Sequence, residues 1–92
     1  MPEFLVEIEI ELPASTPDAE RAALMAAERS RGRELRDAGS IVRIWRVPGR
    51  RANIGVWSAA DASELHELIA SLPLFPWMSV HVRALANHHL ML

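Results

Sequence analysis

Ser40-Ile41-Val42-Arg43-Ile44-Trp45-Arg46-Val47 and Arg51-Ala52-Asn53-Ile54-Gly55-Val56-Trp57-Ser58 read as two β-strands joined by a short hairpin connection, Pro48-Gly49-Arg50. A helix is expected on either side of this hairpin. Before it, Gly39 stands where a left-handed residue would stop a helix running from Asp18 to Ala38. That helix is fed by a turn, Pro13-Ala14-Ser15-Thr16-Pro17-Asp18, with Ser15 or Thr16 in the N-cap position and acids at the positive helix end. After the hairpin, Asp61-Ala62-Ser63-Glu64 forms a capping box that opens a second helix. Its apolar stripe is Leu65, Leu68, Ile69 and Leu72, and Pro73-Leu74-Phe75-Pro76 breaks it.

The outermost segments are strands. From Phe4 to Leu12 the chain alternates, with Phe4, Val6, Ile8, Ile10 and Leu12 pointing one way and Glu7, Glu9 and Glu11 the other. A last strand is expected from Trp77 to about Leu85, followed by a tail, Asn87 to Leu92. The order β-α-β-β-α-β is the ferredoxin-like split βαβ arrangement, an α+β fold with a four-stranded antiparallel sheet, here over residues 1–92 as one domain. Two helices cover only one face of such a sheet. Parity assigns Leu5, Glu7, Glu9, Ile41, Arg43, Trp45, Arg51, Asn53, Trp57, Trp77, Ser79 and His81 to the other face. Three tryptophans are too much apolar area to leave in water, so that face is expected to be covered by another subunit.

Composition narrows the chemistry. The chain has ten arginines, no lysine, twelve acids and a formal charge of −2, which argues against a nucleic-acid binder held by phosphate contacts and excludes Schiff-base chemistry. Without cysteine there is no thiol nucleophile, disulfide or zinc–thiolate site. No apolar run is long enough to span a bilayer, and Met-Pro-Glu does not open like a signal peptide, so the expected residence is the cytoplasm, away from membranes. No glycine-rich phosphate loop or nucleophile elbow is present.

Glu28 is the most informative residue. On a helical wheel it falls with Leu24, Ala27, Arg31, Leu35 and Ala38 in the inward stripe, and a charge there is costly unless paired or used. It is half of a structural Glu28–Arg31 pair, a residue at an amphipathic boundary set one position off, or a general base or acid with a raised pKa, with Gly32 leaving open space beside it. Arg46 shares parity with Val42 and Ile44, so it either points to the helix side as an anion anchor or ends its strand in water. Arg50 and Arg51 are solvated loop residues or anion ligands, and Asn53 either donates to a carbonyl or holds the turn. His66 lies on the flank of its helix, as a boundary residue or a catalyst. Trp45, Trp57 and Trp77 belong to core or interface, or one of them walls a pocket. His88-His89 lacks a third ligand, so no metal is expected.

Taken together, Trp45-Arg46-Val47, Gly49-Arg50, Ala52-Asn53, Glu64-Leu65-His66-Glu67, Leu72-Pro73-Leu74-Phe75-Pro76 with Met78, and Glu28 in the first helix resemble the muconolactone Δ-isomerase family. The resemblance spans essentially the whole chain. It implies a dimeric α+β barrel type of assembly, with subunits pairing through their sheets and dimers building a decamer. It also implies a cofactor-free enzyme of aromatic catabolism, in the β-ketoadipate route, that shifts the ring double bond of a lactone carboxylate. On that resemblance Glu28 is the proton shuttle, Arg46 or Arg50 holds the carboxylate arm beside Trp45, and Asn53 or His66 polarises the lactone carbonyl. The chain departs from the family pattern at Arg43, Arg51 and Asn87, the first two adding positive charge near the pocket mouth. A relative that dehalogenates or cyclises a related lactone, and a non-catalytic small-molecule-binding oligomer, are the competing readings.

Overall fold

The computed structural model describes residues 1–91. Its elements run β1 (Glu3–Ile10), α1 (Asp18–Asp37), β2 (Ile41–Arg46), β3 (Ala52–Ser58), α2 (Ala62–Ala70) and β4 (Met78–Leu85). The strands form one antiparallel sheet in the order β2-β3-β1-β4, the ferredoxin-like topology. The alternation in β1 buries Phe4, Val6 and Ile8 on the helix side. They join Leu35, Ile41, Trp57, Leu65, Ile69 and Leu72 in one core.

The second helix starts as its sequence dictates. Asp61 Oδ1 accepts from the Glu64 N–H at 2.8 Å, and Glu64 Oε1 accepts from the Ala60 N–H at 3.2 Å. A cap of this kind stabilises a helix by about 1 kcal/mol. The first helix does not follow its expected start. Neither Ser15 nor Thr16 caps it; Pro17 occupies the N-cap position with no side-chain cap, while the Thr16 N–H donates to Pro13 O in the preceding turn. That turn and the extended backbone of Pro17 (ψ 145°) set the entry instead, leaving Asp18 and Glu20 to complement the helix dipole.

Between β2 and β3 the chain reverses through Val47-Pro48-Gly49-Arg50. The Arg50 N–H donates to Val47 O at 3.3 Å, and Gly49 takes φ +78°. Proline second and a positive-φ glycine third is type II turn chemistry. The faces of β3 are the reverse of those expected. Phe4 pairs with Trp57, Val6 with Gly55 and Ile8 with Asn53, so Trp57 and Asn53 face the helices while Ile54 and Val56 lie on the open face. Both faces of this strand carry apolar residues, so local pattern does not choose between them; a one-residue change of register exchanges the two sets. Trp57, the largest side chain of the strand, is 1% exposed in the core.

An irregularity in the β2–β3 pairing between Ile41 and Arg43 has a matching effect. Ile41 turns inward opposite Trp57, whereas Arg43 and Trp45 stay on the open side. Trp77 is not on the sheet at all. It closes a short 3₁₀ turn, Phe75–Trp77, whose carbonyl accepts from the Glu11 N–H at 3.0 Å. The open face therefore carries Leu5, Ile54, Val56 and Trp45 among Glu7, Glu9, Arg43, His81 and Arg83.

Candidate active site

Of the twenty residues of α1, only Leu35 is buried, so the helix is pinned to the sheet near its C-terminal end. Toward its N-terminal end a cavity of about 550 Å³ remains between helix and sheet. Its walls are Arg21 and Met25 of α1, Ile10 and Leu12 at the end of β1, Ile44–Arg46 of β2, and Arg51–Asn53 leading into β3. The size suits a small organic ligand. The hairpin turn explains why so many of these residues meet: it sets Arg46 opposite Asn53 across the β2–β3 pair, and Ile44 opposite Gly55.

Arg46, Asn53 and Trp45, three of the residues singled out from sequence, thus line the same cavity. Asn53 Oδ1 is buried and makes no hydrogen bond among the described residues. Trp45 contributes to the wall while its ring lies under the Arg43 guanidinium, 5.1 Å from the ring centroid. Arg43 itself is not a wall residue. Arg51, Arg21 and Met25 are. The signal for the last two was available, since Arg21, Met25 and Glu28 follow one flank of a helix at spacings of four and three.

Arg50 and His66 lie elsewhere. Arg50 forms an ion pair with Glu9 (Nη2–Oε2 2.5 Å), and His66 is exposed with its ring edge-on to Phe75 at 6.0 Å. His88 and His89 stack on one another at 4.5 Å, and among the described residues no group of three or more metal-ligating side chains forms.

Glu28 is half-buried on α1, one helical turn beyond Met25 of the cavity wall. It does not itself line the cavity. Its Oε1 accepts from the Leu74 N–H at 3.0 Å, a contact made because the chain turns back after α2 and buries Leu74 completely. Arg31 does not pair with it; that guanidinium binds Glu34 Oε2 (3.3 Å) and Ser71 Oγ (3.0 Å). Burial pushes the Glu28 carboxyl above the usual glutamate value, and the Leu74 N–H pulls it part of the way back. A Cβ built on Gly32, one turn further along, would meet nothing within 4 Å. A half-buried carboxylate with a raised pKa and no cation partner among the described residues, next to open space, is suited to proton transfer.

Comparison with known proteins gives one consistent result. A family model described as muconolactone delta-isomerase matches residues 2–90. The chain is 44% identical over 86 residues to muconolactone Delta-isomerase 2 of Acinetobacter lwoffii, covering 92% of this chain and 88% of that protein. It is 35% identical over 85 residues to the muconolactone Delta-isomerase of Cupriavidus pinatubonensis, covering 92% of each. A crystal structure of muconolactone isomerase superposes with a TM-score of 0.88 at 31% identity, covering 95% of this chain and 91% of that one.

Proposed function

The chain belongs to the muconolactone delta-isomerase family, and on that premise we propose that it converts muconolactone to 3-oxoadipate enol-lactone by a proton shift through Glu28. In this reaction the ring double bond moves out of conjugation with the lactone carbonyl. A base removes the proton from the ring carbon that bears the carboxymethyl arm, giving a dienolate. The same proton, or one from solvent, is then delivered to the carbon next to the carbonyl. Neither step moves electrons to an acceptor, so acid–base catalysis and stabilisation of the enolate oxygen suffice.

The observation that carries this reading is the Glu28 carboxylate, raised in pKa by burial and held by one backbone N–H with no arginine partner. Arg46 is the anchor for the carboxylate arm, as a guanidinium that stays charged and binds carboxylate in a two-pronged fashion. Asn53, which lines the cavity, supplies its side-chain N–H for the enolate oxygen. Trp45 borders the cavity from the edge strand, with its side chain turned to the open face, and takes no part in the scheme. Arg50, engaged by Glu9, and His66, on the flank of α2, are left outside this scheme. By the same reading the enzyme works in the cytoplasm as a homo-oligomer, with the open sheet face packed on a second copy and dimers gathered into a decamer.

The test is direct turnover of muconolactone, with Glu28→Gln alongside. Wild type should form enol-lactone, and the variant should be slower by about 10²-fold or more, the usual contribution of a positioned general base. Full turnover in Glu28→Gln would remove the shuttle assignment. An inactive, folded wild type would remove muconolactone as the substrate.

A further inference from the structure

Three guanidinium groups, Arg21, Arg46 and Arg51, line the cavity, and among the described residues no acidic side chain does. None of the three takes part in an ion pair among the described residues, although Arg31, Arg36 and Arg50 all do. Guanidinium groups remain charged at any working pH. Three like charges around one partly enclosed hollow repel each other, and none gains a counter-charge among the described residues. A monocarboxylate lactone neutralises one.

The arginines also divide by position. Arg46 sits at the end of β2 opposite Asn53. Arg21 and Arg51 are both tied to the end of β1: the Arg51 carbonyl accepts from the Ile10 N–H at 2.9 Å, and Arg21 Nη2 donates to the Pro13 carbonyl at 3.1 Å. That single bond orients the Arg21 guanidinium and leaves its remaining donors unused. Arg21 further stands in the opening turns of α1, where the helix dipole already favours an anion.

We propose that the cavity binds a ligand with two anionic groups, one at Arg46 and a second between Arg21 and Arg51, so that the preferred substrate is an unsaturated lactone bearing a second carboxylate. The lactone half of this statement rests on the isomerase reading above; the two-anion site does not. A cavity of about 550 Å³ falls in the range that takes ligands larger than a simple carboxymethyl lactone.

Two ligands that differ only by a second terminal carboxylate make the test, glutarate and butyrate, titrated calorimetrically at one fixed ionic strength into wild type, Arg21→Gln and Arg51→Gln. Glutarate should bind wild type at least about tenfold tighter than butyrate, as expected for one extra charge-assisted contact. Either substitution should abolish most of that preference while changing butyrate binding by less than about twofold. Arg21→Lys, which keeps the charge, should retain part of it and serves as the control for folding. Equal affinity for the two ligands, or a preference untouched by both substitutions, would overturn the proposal. Muconolactone turnover is measured in the same samples. Glutarate preference without turnover removes muconolactone as the substrate and upholds the two-anion site, whereas turnover without preference overturns the site and upholds the isomerase.

Discussion

Glu28 is ionised less readily in the folded chain than in the unfolded one, because burial penalises the carboxylate more than the Leu74 N–H compensates. Two consequences follow, one for rate and one for stability. A base must be ionised to accept a proton, so with Glu28 in the proposed role kcat/KM should fall toward acid pH with a midpoint above the usual glutamate value; a limb at or below that value would exclude Glu28 as the base. For stability the sign is opposite. The contribution of the neutral form is fully present below the unfolded pKa and is lost as pH rises through the higher folded pKa. Glu28→Gln, which keeps an acceptor for the Leu74 N–H but carries no charge, should therefore unfold no earlier than wild type at neutral pH. Thermal melts at pH 4 and pH 8 would show the difference growing with pH. Glu28 was legible in the sequence as a charge in an apolar stripe; that Leu74 rather than Arg31 is its partner was not, because 46 residues separate the two along the chain.

The β2–β3 hairpin does most to assemble the cavity, since its strands bring Arg46, Arg51 and Asn53 to one place. Its turn depends on Gly49 at φ +78°, a conformation that costs a side-chain-bearing residue roughly 1–2 kcal/mol. Gly49→Ala should lower stability by about that amount in chemical denaturation and raise KM more than it lowers kcat, because the turn positions the proposed binding groups rather than the proposed base. A second constraint lies at Gly55, where an added Cβ would stand 2.7 Å from the Arg43 carbonyl oxygen and force β2 away from β3. Hairpin, helices and their order were all readable from alternation, capping residues and the Pro-Gly break. The faces of β3 were not. Ile54 and Val56 compete with Trp57 for the core on local grounds, and only pairing with β1 awards the interior to Trp57.

At the scale of the whole molecule, one side of the sheet is a core and the other is bare. Leu5, Ile54, Val56 and Trp45 lie there on a surface whose central strand carries Glu7 and Glu9, with Arg43 on one flank and His81 and Arg83 on the other. Acidic centre and basic flanks suit a twofold pairing of two such faces, in which each subunit offers what the other lacks. Ile54→Arg, placed at the middle of this face, should shift the species seen by analytical ultracentrifugation toward the monomer, and an unchanged mass would argue against pairing through the sheet. The chain's own residue pattern was enough to determine the fold class, the hairpin, the helix boundaries to within a few residues and the anomaly at Glu28, because periodicity and capping act over a few neighbouring residues. Strand register, the inward turn of Trp57, the grouping of Arg21 with Arg46 and Arg51, and the bond from Leu74 to Glu28 were decided only in the tertiary structure. Each depends on residues far apart in sequence competing for the same space, and local pattern does not record which of them wins.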